Sequence, residues 1–103
     1  MESVQSESQN IFATEELVRS VFASLSNRDS FEIFKLAASG IDASTAILRE
    51  RNFSRKRYYG RLAELVRLGL VKKDFGRYVL TNLGRFVYDA TMLLERSFTN
   101  LSQ

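Results

Sequence analysis

The sequence predicts a mostly α-helical domain that carries one short β-hairpin and ends in a long helix. Apolar residues recur at spacings of three and four over most of the 103 residues, which is the pattern of amphipathic helices. The exception is the stretch LVKKDFGRYVLT, in which two short β-prone runs flank Asp74-Phe75-Gly76, a typical hairpin turn. A chain of this length suits a single compact domain.

The first helix is expected to follow a polar tail. Residues 1–11 are expected to be disordered, because the stretch is polar and has no apolar periodicity. Thr14 is a good N-cap and is followed by two glutamates, which favour a helix start. One apolar face of this helix is predicted from Leu17, Val18, Val21, Phe22 and Leu25.

Two shorter helices are expected next. Asp29 or Ser30 is the expected cap of the second helix, which ends near Gly40. Asp42 or Ser44 is expected to start the third helix.

The last two helices have clearer boundaries. Phe53 is expected to be an apolar plug in the turn, Ser54 to cap a helix over residues 54–68, and Gly69 to end it. Thr81 is expected to cap the final helix. A short helix, a turn, a second helix and a hairpin form the order of a winged helix-turn-helix. That fold is predicted over residues 12–82, with a C-terminal dimerisation helix over residues 83–103.

Basic residues are concentrated in one part of the chain. Residues 49–77 contain ten basic and three acidic residues, a net charge of +7, whereas the whole chain carries only +3. Such a segment is typical of a surface that binds a polyanion. Solubilising charges scattered around a helix are the alternative, and composition alone leaves both open.

A helical wheel of the 54–68 helix places Tyr58, Leu62 and Leu65 inward and Lys56 and Arg57 outward. Cations at a helix start oppose the helix dipole, so their presence favours a ligand over a purely structural role. In helix-turn-helix proteins these positions contact base edges in the major groove. The residues expected to contact DNA here are Ser54, Arg55, Lys56, Arg57, Tyr59, Gly60 and Arg61.

Two features of this prediction have simpler alternatives. Gly60 would let the helix lie close to a DNA backbone, although a tolerated surface glycine explains it nearly as well. The hairpin over residues 70–80 is expected to contact phosphates or the minor groove through Lys72, Lys73 and Arg77. Charges also occur on hairpins simply to protect strand edges.

The composition argues against an enzyme. The chain has no Cys and no His, which removes thiol nucleophiles, the commonest general base and the commonest zinc ligands. No phosphate-binding loop or nucleophile-elbow motif occurs. We therefore expect no cofactor and no metal. No apolar stretch approaches the roughly 20 residues needed to cross a bilayer, so we also expect no membrane segment and a cytoplasmic, nucleoid-associated location.

The C-terminal helix is expected to join two copies into a homodimer, with the first helix beside it. Its apolar residues approach a heptad pattern and extend past what one small domain can bury. A two-fold dimer would set two recognition helices about 34 Å apart, on successive major grooves. Folding back of the helix onto the first helix is the alternative. The expected interface is Val87, Ala90, Leu93, Leu94, Ser97, Phe98 and Leu101.

The stretch from Phe53 to Ala90 resembles the core of winged helix-turn-helix transcriptional regulators, particularly archaeal ones. The marks are the Ser-led helix, the Gly69-Leu70-Val71 step and the hairpin's return strand running into Leu-Thr-x-x-Gly. The resemblance covers roughly residues 28–92 and implies a sequence-specific regulator that binds double-stranded DNA. Winged helices also serve as protein-docking modules, which is the main alternative. RNA binding is disfavoured, since no aromatic-rich sheet is predicted for base stacking.

Overall fold

The chain forms five helices and three short strands within residues 2–42 and 46–101, the residues that the computed structural model describes. A mostly helical fold with a hairpin and a long last helix is therefore confirmed. No helix in these two ranges is long and apolar enough to cross a membrane. In chain order the elements are α1 (Glu2–Leu25), α2 (Arg28–Ala37), β1 (Ile41–Asp42), α3 (Ala46–Arg51), α4 (Arg55–Arg67), β2 (Val71–Asp74), β3 (Arg77–Leu80) and α5 (Asn82–Leu101).

α1 begins much earlier than the sequence predicts. Its first residue is Glu2 and not Thr14, so the helix includes most of residues 1–11, which were expected to be a disordered tail. No Gly or Pro occurs between Glu2 and Leu25. The segment before Thr14 therefore contains no helix-breaking residue, and the helix continues through Thr14 although this residue could have capped it.

Asn27 caps α2, and the prediction of Asp29 or Ser30 as the cap is wrong. The backbone of Asn27 is extended, and its side-chain oxygen accepts a hydrogen bond from the N–H of Ser30 at 3.1 Å. Asp29 lies in the first turn of α2, and Ser30 is buried. The cap is therefore placed one turn before the first buried position of the helix.

β1 is a third strand that the sequence did not predict. Its two residues pair antiparallel with Arg77 and Tyr78 of β3, which gives the strand order β1-β3-β2. Asp42 therefore lies in a strand and does not cap α3, which begins at Ala46. Ser44, the other expected cap, lies outside the described residues.

The predicted hairpin is confirmed. β2 and β3 pair antiparallel, with Asp74 opposite Arg77 across a two-residue loop. The loop residues Phe75 and Gly76 have φ values of 50° and 76°. A type I′ turn requires positive φ at both central residues. Its backbone twist matches the right-handed twist of the two strands that it joins.

The hydrophobic core lies between α2 and α4 and is closed on one side by the start of β2. Side chains from both helices are completely buried, in agreement with the predicted inward stripe of the 54–68 helix. The largest fully buried apolar side chains are Ile33, Phe34, Leu62, Leu65, Leu70 and Val71.

The start of α5 is fixed against the end of α4. Thr81 caps α5 as expected: its hydroxyl accepts the N–H of Gly84 at 2.9 Å and donates to the carbonyl of Gly69. Gly84 is buried, and a Cβ atom at this position would collide with the carbonyl of Leu70. Gly84 is therefore needed for the close approach of the two segments.

The close contact between Gly84 and Leu70 predicts opposite effects of alanine at two glycines in helices. Gly84→Ala should lower the free energy of unfolding by about 1–3 kcal/mol, because the backbone carbonyl of Leu70 must move. The matched control is Gly60→Ala, because no atom lies within 4 Å of a Cβ atom there. That change should raise the free energy of unfolding by about 0.5–1 kcal/mol. Urea unfolding measures both values, and a Gly84→Ala protein as stable as the parent would contradict the packing described here.

Candidate nucleic-acid interface

The turn between α3 and α4 sets the start of the candidate interface. Asn52 adopts a positive φ of 58°, and Phe53 is half-buried against the core, as predicted. Ser54 then caps α4: its side-chain oxygen accepts the N–H of Arg57 at 3.1 Å. The predicted cap and the predicted apolar plug are both confirmed.

α4 has the rotation that the helical wheel predicts. Tyr58, Leu62 and Leu65 are buried, and Lys56 and Gly60 are exposed on the opposite side. Burial raises the pKa of Tyr58, and the neighbouring tyrosines contribute to the same shift. The phenol therefore remains neutral near neutral pH and acts as a core residue.

Most of the residues predicted on α4 lie close together on its exposed side. Ser54, Lys56, Arg57, Gly60 and Arg61 line one shallow depression at the N-terminal half of the helix. No acidic residue occurs in the first turn of α4. The structure thus brings a cluster of cations and a glycine to one accessible surface.

Three of the cations predicted to contact DNA, Arg55, Lys56 and Lys72, have no internal partner. All three are exposed, and none of them forms an ion pair, a hydrogen bond or a ring contact with the described residues. A cation in this state can bind an external anion without first breaking an interaction within the protein. Arg55 and Lys56 lie in the first turn of α4, and Lys72 lies on β2.

Arg57 is held within the protein. Its Nε lies 3.0 Å from Oδ2 of Asp29, and its Nη2 donates to the carbonyl of Asn52 at 3.3 Å. The guanidinium also lies 5.3 Å from the ring centre of Phe53. Arg57 therefore fastens α4 to α2 and to the preceding turn, and it can contact a base only if these interactions are exchanged.

Arg77 has a similar internal role on the hairpin. It donates to the carbonyl of Ser39 at 3.2 Å, and its Nε lies 3.6 Å from Oδ1 of Asp42. Lys73, the third cation predicted on the hairpin, lies with its Nζ 5.8 Å from the ring centre of Tyr78. Sequence reasoning missed Asp29 and Asp42 as partners of these arginines, because both are far away along the chain.

A polar cleft lies beside α4, between this helix and α1. Its walls include Ser24 of α1 together with Arg61, Glu64 and Arg67 of α4. Arg67 donates two hydrogen bonds to Glu64, at 3.0 and 2.7 Å, and these lower the pKa of the Glu64 carboxyl group. The Glu64 carboxylate stays ionised, but the positive charge of Arg67 compensates its negative charge. Glu64 therefore adds little negative potential to the basic side of the helix.

Gly60 has no structural partner that requires a glycine. A Cβ atom at this position would meet open space. Glycine within a helix costs about 0.5–1 kcal/mol relative to alanine. The packing of the described residues therefore supplies no reason for this glycine, although close approach of a partner would.

Residues 2–42 and 46–101 contain no group of three or more acidic side chains that could hold a metal ion, and the sequence has no His or Cys.

Comparisons with models of known protein families, with curated proteins and with solved structures find no match.

The contact between Arg57 and Asp29 can be tested by a double-mutant cycle. Arg57→Gln and Asp29→Asn, alone and together, should show a coupling energy of about 0.2–1 kcal/mol in urea unfolding, because the pair is partly exposed. The more exposed pair Arg19 and Glu16, 3.7 Å apart, provides the control and should show a smaller coupling. A value of zero for Arg57 and Asp29 would contradict the internal role of Arg57.

Proposed function

We propose that the protein binds double-stranded DNA, with α4 in the major groove, and that it regulates transcription. The observation that carries this proposal is the pair of exposed, unpartnered cations, Arg55 and Lys56, in the first turn of α4. Cations at this end of a helix oppose the dipole and weaken the helix slightly. A bound phosphate backbone would reverse this effect, because it places negative charge beside both the cations and the free N–H groups of the helix start.

The shape of α4 supports the same proposal. A helix is about 10–12 Å wide with its side chains, and the major groove is about 12 Å wide. Gly60 and Ala63 lie on the exposed side behind the two cations. Their small size lets a helix approach the sugar-phosphate backbone closely, while the side chains of Arg55 and Lys56 reach base edges or phosphates.

The hairpin is proposed to contact the backbone or the minor groove through Lys72 and Lys73. Both side chains are exposed on β2, and neither forms an ion pair with a described residue. Arg77 holds the hairpin to the loop before β1, so we assign it a positioning role. The hairpin would then supply affinity that does not depend on base sequence.

A docking module for an acidic protein partner is the alternative function. The same cations would serve it, because an acidic surface and a phosphate backbone both attract them. The two functions differ in whether the protein binds a DNA duplex at all and in whether that binding depends on the base sequence. They are therefore distinguished by experiment on the intact protein.

Salt dependence is the first test of DNA binding. If about four side chains neutralise phosphates, the logarithm of the association constant should fall with the logarithm of salt concentration at a slope of about −3 to −4. Fluorescence anisotropy with a random duplex, between about 50 and 200 mM salt, measures this slope. Absence of binding at the lowest salt would contradict the proposal and favour the docking alternative, and a flat response would contradict the contacts with phosphates.

Single substitutions separate base reading from backbone contact. Arg55→Ala or Lys56→Ala should cost about 1–3 kcal/mol on a preferred site if the side chain reads a base. Lys72→Ala should weaken all duplexes alike and reduce the salt slope by about 1.

The control is Arg96→Ala, which removes the same charge from the exposed side of α5. It should change neither quantity appreciably. If Arg96→Ala weakened binding as much as Lys56→Ala, binding would depend on net charge and not on α4. A change of sequence preference on Lys72→Ala alone would reverse the roles assigned to the helix and the hairpin.

A further inference from the structure

An apolar groove runs between α1 and α5. Val18 and Phe22 form part of its wall on α1, and Leu83, Phe86 and Leu94 form part of it on α5. The groove has a volume of about 470 Å³, and its wall is almost entirely apolar. The two helices therefore lie side by side without closing the space between them.

The fold of one chain leaves several apolar side chains around the groove exposed to solvent. Phe22 is 70% exposed, Phe86 is 72% exposed and Leu94 is 56% exposed. Val21 is the one residue of α1 that belongs to the buried core of the described residues. Folding back of α5 onto α1 thus brings the helices together but leaves most of their apolar surface in contact with solvent.

The apolar side of α5 contains no charged residue. At 100° per residue, the positions from Leu83 to Leu101 that face the groove fall within an arc of about 140°. Asp89 and Glu95 lie outside that arc, as do Arg85 and Arg96. A copy of the same helix can pack against this side without bringing like charges together.

The exposed area is large enough for a stable dimer. Nine large apolar side chains of α1 and α5 are between 41% and 83% exposed. At about 150–250 Å² for a whole large side chain, they expose on the order of 1,000 Å². A standard interface buries about 800 Å² from each partner. A soluble monomer rarely leaves an apolar surface of this size uncovered.

We propose that a second copy of this chain covers the groove, so that two chains form a two-fold symmetric dimer through α5 and α1. In a two-fold interface each chain offers the same surface, so α5 of each copy packs on the groove of the other. Ala90 and Ser97 provide small side chains along α5, which let the helices approach closely. The interface residues are Val87, Ala90, Leu93, Leu94, Ser97, Phe98 and Leu101, together with the α1 wall. This proposal does not depend on DNA binding.

Sedimentation equilibrium at micromolar concentration, without DNA, tests the dimer. The parent protein should sediment at twice the chain mass of 11.8 kDa. Leu94→Glu should raise the dissociation constant about 100-fold or more, because the interface would bury two unpaired carboxylates. The control is Thr99→Glu, which adds the same charge on the opposite side of α5 and should leave the mass unchanged. Circular dichroism verifies that each variant remains helical.

Three results would overturn the proposal. They are a parent species of 11.8 kDa, a dimer that Leu94→Glu leaves intact, and an equal effect of Thr99→Glu. The first result would leave the groove to a different protein or uncovered. The second and third would place the dimer contact elsewhere on the molecule.

Disulfide cross-linking provides a second measurement that does not require weakening the dimer. The chain contains no Cys, so a single introduced Cys can form a disulfide only with another copy. A series that includes Ala90→Cys, Leu94→Cys and Ser97→Cys should contain at least one position that gives a covalent dimer under mild oxidation. Thr99→Cys should not do so. Cross-linking at Thr99→Cys alone would contradict the proposed interface.

Discussion

α4 is held against α2 by a single row of buried side chains, and this contact fixes the rotation of α4 about its own axis. Tyr58, Leu62 and Leu65 lie about one turn apart and enter the same core as Ile33 and Phe34. Because each residue of a helix is rotated by 100° from the last, burial of these three determines which positions face solvent. A different rotation would bury the cations of the first turn. Burial of an unpaired charge carries a large free-energy penalty.

The same pair of helices also decides which basic residues remain available. Asp29 of α2 pairs with Arg57, and Glu32 of α2 pairs with Arg51 at the end of α3. α2 thus neutralises two arginines while it positions the segment that carries them. Part of the positive charge of the basic segment is therefore already paired with carboxylates of α2. Arg55 and Lys56 remain available for an external ligand.

Local patterns predicted the parts of the fold that depend on neighbouring residues. The Ser54 cap, the inward stripe of α4 and the Phe75-Gly76 turn each follow from residues within one or two turns of chain. β1 could not be predicted in this way, because two residues are too few for an alternating pattern and its partners are in β3. The internal roles of Arg57 and Arg77 were missed for the same reason: each depends on a carboxylate brought near by tertiary structure.

α1 lies between the basic surface of α4 and the apolar groove beside α5. One side of α1 carries Ser20 and Ser24, which line the polar cleft beside α4. Another side carries Val18 and Phe22, which line the apolar groove beside α5. α1 therefore separates the basic surface from the groove, and a helix packed in the groove need not cover the exposed side of α4. Because the surfaces are separate, the proposals for DNA binding and for a dimer make no competing demands on the same residues, and either can fail without the other.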